Sequence, residues 1–389
     1  MDYTNKSREE LIALCKERSL KGYSTKKKDE LIILLSAVAA LAVAPATKKT
    51  RGQFYTTNSN YILEGLPAPP ADARCVIEPF AGKGDLLQWL QEKGNTLPVE
   101  AYDIEPKAPN ITQQDTLLNP PDYSNAWIIT NPPYLARNKS EHKEIYDKYD
   151  TNDLYKCFIS SLKDKPCGGI LIIPAGFFLS PRDIDVRCRQ EFMSQYKILK
   201  VKYFEETVFD DTTTTIVAFA FERSSLKDPL VAQEVLWETL PIKATKTFHM
   251  SAANSWIIGG DIYNLPTPAS INIRRHVEGQ LLKTGEQQTY ITLNALDSGT
   301  QEGRISLTYK SGYVYPAKEC SRTYATLRIT GRVLTEEEQQ TLCERFNAFL
   351  EEKRAETWSL FLPQFRESKL YARKRIPFEL AYRILSYLI

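Results

Sequence analysis

Histidine is nearly absent from this chain: there are three in 389 residues, His142, His249 and His276. Imidazole chemistry, whether a metal site or a Ser–His relay, has little to be built from. The seven cysteines are odd in number, scattered and never in Cys-x-x-Cys spacing. That argues against a disulfide framework and a cysteine zinc site, and for a reducing compartment. Long apolar runs are missing too. Leu31–Ala44, the most apolar stretch, has about 14 residues where a bilayer span needs about 20. The opening "MDYTNKSREE" lacks the apolar core of a secretory signal. Charge of one sign is lacking as well: 50 Lys and Arg against 48 Asp and Glu leave a net +2, so any basic surface has to be local. The expectation is a soluble intracellular protein, cytoplasmic or nuclear, with no metal and no membrane contact.

What is present divides into regions. Ser7 followed by Glu10 is a capping-box signature, and helical spacing resumes in "KKDELIILLSAVAAL" after Gly22. Lys26–Lys28 and "KKTR" at Lys48–Arg51 concentrate positive charge there. The segment "SREELIALCKERSLKGYSTKKKDELIILLS" resembles the SAP and Rho-N-like helical modules, which implies a small nucleic-acid-binding unit over residues 1–44, with 45–50 as linker. From Cys75 to about Phe221, short β-branched runs ("RCVIEPF", "PVEAYDI", "AWIIT", "GGILIIP", "TTIVAFAF") alternate with amphipathic stretches such as "GDLLQWLQEKG" and "NDLYKCFISSLKD". This rhythm predicts an α/β, doubly wound Rossmann-like sheet, whose ligands bind beyond the carboxyl ends of its strands. After Ser224 the pattern turns to mixed strands and turns, then mostly helix from Leu334, a mixed α+β region.

Two tripeptides Asn-Pro-Pro compete for attention. Asn119–Pro121 follows no strand and sits among turn formers, so it reads as a turn. Asn131–Pro133 follows "AWIIT" and continues into Tyr134. Prolines stiffen such a loop and remove backbone donors. The Asn131 side-chain oxygen and the Pro132 carbonyl can both accept from an amino group on a ring, while Tyr134 offers the ring a flat face. Upstream, "VIEPFAGKGDLL" places Gly82 and Gly84 in a strand-to-helix turn where a nucleotide-like ligand can approach the backbone. Asp103 ends the next strand, where a carboxylate suits ribose hydroxyls, and Asp115 suits an adenine amino group. The turn is not G-x-G-x-x-G, which weakens a dinucleotide reading.

In order, "RGQFYTTN", "EPFAGKG", "AYDIEP", Asp115 and "NPPY" resemble the N6-adenine DNA methyltransferases of the γ arrangement, over roughly Arg51–Arg223. The resemblance implies a catalytic domain at 51–224 that binds S-adenosylmethionine, and a target-recognition domain with C-terminal helices at 225–389. Phe54, Tyr55 and Thr56 would line the methionine pocket; Glu78, Gly82 and Gly84 the cofactor turn; Asp103 and Asp115 the ribose and adenine. Asn131, Pro132 and Tyr134 would hold the target base, and Phe209 would stack on its other face, with Phe204 as competitor. Thr57 departs from the family's proline. The implied activity is methyl transfer to adenine N6 in double-stranded DNA, by a monomer and with room for a cognate restriction endonuclease as partner. Methylation of RNA or of a protein glutamine is the alternative, since those enzymes also use Asn-Pro-Pro-Tyr. Basic residues of "GRISLTYKSGY" and "YARKRI" are candidates for phosphate or base contacts.

Overall fold

The computed structural model describes residues 6–17, 27–32, 56, 58–163, 165–209, 214–225, 227–297, 304–365 and 373–389. The chain forms two compact units, Met1–Gly52 and Gln53–Ile389. In the first, the expected capping box is formed. Ser7 Oγ accepts from the Glu10 amide (3.2 Å) and Glu10 Oε2 accepts from the Ser7 amide (2.7 Å), opening the helix Arg8–Glu17. A second helical stretch, 28–32, begins where the Lys27 amide donates to Glu30 (2.8 Å). Leu11, Cys15 and Leu31 are buried together. The rest of the 1–44 module and the linker 45–50 lie outside the described residues. Among the described residues no helix is long and apolar enough to cross a membrane.

The second unit is built on β1 (Val76–Glu78), β2 (Val99–Asp103), β3 (Thr112–Gln113), β4 (Trp127–Thr130), β5 (Gly168–Pro174), β6 (Tyr196–Phe204), β7 (Ile216–Arg223), β8 (Ala232–Leu240) and β9 (Ala244–Ser251). Among the described residues they make one nine-stranded sheet in the order 3-2-1-4-5-7-6-8-9. β1 to β5 run parallel, β7 is antiparallel between β5 and β6, β8 is parallel to β6, and β9 returns antiparallel. This is the α/β doubly wound sheet expected. Its middle strands β4 and β5 are almost wholly apolar because both faces are covered: all four residues of β4 are buried. Two glycines start β5 because its neighbours come close. A Cβ on Gly169 would lie 2.3 Å from the Ile128 carbonyl oxygen of β4.

The boundary expected at residue 224 is not where the sheet ends. β8 and β9 extend it to Ser251, because β8 alternates buried Val235, Trp237 and Thr239 with outward residues and pairs with β6 from Lys200↔Leu236 to Phe204↔Leu240. Beyond it, β10 (Asn272–Arg275), β11 (Glu286–Asn294), β12 (Leu296–Asp297), β13 (Ser306–Tyr309), β14 (Tyr324–Thr330), β15 (Gln364–Phe365) and β16 (Arg373–Arg375) form two small sheets, 10-14-11-13 and 12-16-15. The helices Glu336–Thr357 and Phe378–Leu388 share the core of the four-stranded one. Thr335 opens the first of these with a complete capping box to Glu338.

Four charged residues, Lys202 buried and Glu205, Glu206 and Lys374 partly so, tie the parts of this unit together. Lys202 of β6 donates to the Tyr61 and Glu64 carbonyls (2.8 and 2.9 Å), satisfying the end of the helix Ser59–Leu63. Directly after β6, Glu206 accepts from the Tyr61 hydroxyl (2.5 Å), while Glu205 faces Lys374 of β16 at 3.7 Å. Lys374 also donates to the Trp358 carbonyl (2.9 Å). Hence Lys374, in the "YARKRI" stretch, is an internal tie rather than a surface cation. Tyr371 and Ala372 of that stretch lie outside the described residues.

Candidate active site

The parallel strands β1, β2 and β4 end side by side, and their carboxyl ends carry Glu78, Asp103 and Thr130 followed by Asn131. At the β1 end, Gly82 (φ 54°) and Gly84 (φ 88°) both take the left-handed backbone that glycine tolerates. Gly84 is the residue before the helix Asp85–Glu92. Asp103 braces this turn: its carboxylate accepts from the Gly82 amide (2.8 Å) and the Glu105 amide (2.7 Å). Asp115, just after β3, accepts from the Leu117 and Leu118 amides (both 3.0 Å). Its neighbour Thr116 donates to the Pro79 carbonyl (2.9 Å), fastening the Asp115 loop to the glycine turn.

Glu78 is buried, and burial pushes its carboxyl up to about 8, with the Thr130 and Phe80 hydrogen bonds opposing the shift and Asp103 and Asp85 adding to it. Thr130 Oγ1 donates to Oε1 at 2.8 Å, whereas Oε2 makes no hydrogen bond. Thr130 was not legible as a site residue, because nothing in sequence spacing says that β1 and β4 end as neighbours.

Asn131 is buried, as are Pro132 and Tyr134. Its Nδ2 donates to Thr56 Oγ1 (3.1 Å), so the segment carrying Thr56 reaches the Asn-Pro-Pro-Tyr loop. The Tyr134 hydroxyl lies within hydrogen-bond reach of both Asn131 Oδ1 and the Ile172 carbonyl of β5 (2.7 Å). A phenol has one hydrogen to give, so it serves one of these oxygens at a time. Burial holds the Tyr134 hydroxyl well above its ordinary range, keeping it neutral. Phe54 and Tyr55 lie outside the described residues.

Phe209 is buried and belongs to the same core cluster as Tyr134. Phe204, its competitor, packs edge-on to the Tyr61 ring (centroids 5.8 Å apart, planes at 65°) and under Lys202 Nζ (5.8 Å). The first Asn-Pro-Pro copy is a turn: Asp122 accepts from the Ser124 amide (3.0 Å), and the Asp122 carbonyl accepts from Arg74 (2.6 Å). Sequence reading also passed over Asp153, which contacts the chain leaving Tyr134. It stands just before the helix Leu154–Ser161.

Residues 125–209, from the turn before β4 to Phe209, match the Eco57I restriction-modification methylase family. No curated protein matches the chain. Among solved structures it is similar to one described as the modification subunit of a type I restriction enzyme from Vibrio vulnificus YJ016 (17% identity, TM-score 0.38, covering 62% of this chain and 54% of that one). It is similar also to the type IIG restriction endonuclease BpuSI (15% identity, TM-score 0.38, 63% and 37% covered). A third is the methyltransferase subunit of a type I restriction-modification system from Streptococcus thermophilus (13% identity, TM-score 0.36, 60% and 64% covered). The chain thus spans less than two thirds of each of these proteins. The resemblance drawn from motif order and the family match agree over β4, the Asn-Pro-Pro-Tyr loop, β5 and β6.

Proposed function

We propose that this chain is an S-adenosylmethionine-dependent DNA methyltransferase that modifies the N6 amino group of an adenine turned out of the duplex, as the modification enzyme of a restriction-modification system. The observation that carries the reading is the seat of Asn131. It sits at the end of β4, bonded to Thr56 and Tyr134, on the sheet edge that also holds the glycine turn and Asp103.

The residues fit the cofactor. Left-handed Gly82 and Gly84 keep side chains off the turn. Glu78 keeps a buried oxygen without a partner, and the ammonium of a methionine moiety placed there would draw its carboxyl back toward the ionised form. Asp103 suits the ribose and Asp115 the adenine, with Thr56 against the methionine part. When bound, S-adenosylmethionine supplies a sulfonium methyl group, an electrophile strong enough that no strong base is needed.

The chain's own residues do the rest by positioning. Asn131 Oδ1 and the Pro132 carbonyl accept the two N–H groups of the adenine amine, drawing its lone pair out of the ring and aiming it at the methyl carbon. With the cofactor bound, its methyl carbon would pass from sulfur to the amino nitrogen, the sulfur would leave as a neutral thioether and the amine's proton would go to water, while Asn131 and Pro132 hold the nitrogen in line. Extruding the base costs a few kcal/mol, and stacking on two aromatic faces returns about 1–3 kcal/mol each. Tyr134 is one face. Phe209 is the other, since Phe204 is committed to Tyr61 and Lys202.

Target choice falls to the region after the sheet. Of the basic residues there, Arg304 grips Glu351 (3.0 Å), whereas Lys310 is exposed beside the Tyr313 ring (5.2 Å) and is free to meet a phosphate. The 1–44 module adds sequence-tolerant affinity by tethering.

Incubation with labelled cofactor and plasmid, RNA or ribosomal extract tests the reading. Label should appear as N6-methyladenine in the plasmid; label only in RNA or on protein glutamine overturns it. Asn131→Ala should lower transfer roughly 100- to 1,000-fold while cofactor binding, followed by calorimetry, is unchanged.

A further inference from the structure

The chain leaving Tyr134 does not run off into a free loop. Residues 135–137 lie in a short antiparallel ladder against 152–154. The Leu154 amide donates to the Leu135 carbonyl (3.2 Å), the Arg137 amide donates to the Asn152 carbonyl (2.9 Å), and Ala136 bridges Asp153. The Tyr146 hydroxyl adds a second donor to the Leu135 carbonyl (3.0 Å). One backbone group of this joint is held by a side chain: the Leu135 amide donates to Asp153 Oδ1 (3.1 Å). Tyr155, two residues on, packs edge-on against Tyr134 (centroids 6.3 Å apart, planes at 88°). So the segment around Asp153 holds both the exit of the Asn131–Tyr134 loop and the ring of its last residue.

From this geometry, and resting on the reading proposed above, we infer that Asp153 is a positioning residue for methyl transfer: its carboxylate, seated on the Leu135 amide, fixes where the tetrapeptide leaves the sheet and so where Asn131 and Tyr134 meet the amino group. A hydrogen bond to an ionised carboxylate is about twice as strong as one to a neutral acceptor. The grip therefore depends on the charge of Asp153. Burial raises its carboxyl to about 6, opposed by Lys156 and by the amides of Tyr155, Leu135 and Leu154. Lys156 of the same helix is bound to Asp185 and Asn152. Burial raises Tyr155 and Cys157 of that helix, Tyr146 of the helix Glu144–Tyr149 and Tyr134 of the loop, so all four stay neutral. At pH 7 and above Asp153 is ionised and the loop is held. As pH falls through about 6 it takes a proton and the grip weakens.

The experiment is single-turnover methyl transfer to a duplex oligonucleotide across pH 5 to 9, with cofactor and DNA affinities measured alongside. Wild type should show an acid limb near pH 6 in the transfer step. Asp153→Ala should lower that step about 10- to 100-fold, the size expected of a loop misplaced by about 1 Å, with both affinities within about twofold. Asp153→Asn keeps the accepting oxygen and folds without a buried charge. It should retain transfer within about fivefold, with the limb near pH 6 gone. Asp153→Ala turning over at the wild-type rate, or Asp153→Asn keeping the acid limb, overturns the inference while leaving the proposed function standing. A wild-type protein that methylates no DNA overturns both.

Discussion

Glu78 spends neutral pH holding a proton in a place where its unfolded counterpart would have lost it. Unfolded, a glutamic acid ionises near 4.3; folded, this one is pushed up to about 8. Between those values the folded state binds more protons than the unfolded one, so rising pH erodes stability through that window. Glu78→Gln cannot titrate. The stability of wild type relative to Glu78→Gln should therefore fall between pH 4 and pH 8, by on the order of 2–4 kcal/mol. Urea melts at pH 5, 7 and 8.5 measure it, and parallel curves for the two proteins would refute it. Residues of this kind were legible where chemistry coincides with a strand end: Glu78, Asp103 and Asn131 each close a β-branched run. Thr130 and Asp153 were not, because their partners, Glu78 and the Leu135 amide, lie far away in sequence.

Among elements, short strands rich in β-branched and apolar residues between turn formers could be read directly, and β1, β2, β4, β5 and β7 stand where their patterns put them. β6 could not. "YKILKVKYF" carries three lysines, and a buried Lys202 has no apolar signature; it is tolerated because two carbonyls of the helix Ser59–Leu63 receive its ammonium. β3, with only two residues, falls below any pattern. The close approach of β4 and β5 yields a sharper expectation. Gly169→Ala would drive a methyl group into the Ile128 carbonyl, and both strands are buried, so neither can yield alone. A loss of about 3 kcal/mol is expected, read as a drop in the urea midpoint at unchanged slope. The loop after β4 is carried by that strand, so transfer activity should fall as well.

For the whole molecule, the sequence pattern located a change of character after Ser224, whereas the sheet itself runs on to Ser251. The alternation in β8 is ordinary half-buried strand pattern, and only the pairing with β6 reveals whose strand it is. A chain cut at residue 224 would strip β6 of its outer neighbour and expose the surfaces that Trp237, Val235 and Met250 cover. Such a fragment should aggregate on expression, whereas one ending after Ser251 keeps the sheet intact. Gel filtration of the two fragments decides it, and a soluble, monomeric fragment ending at 224 would show that β8 and β9 are dispensable. The adjacent Glu205 and Glu206 carry a further implication. One faces Lys374 from the C-terminal part and the other receives the Tyr61 hydroxyl, and the two glutamates are neighbours in the chain. Two segments far apart in the chain are thus fastened to one dipeptide at the exit of β6, so a change at either glutamate is felt at both.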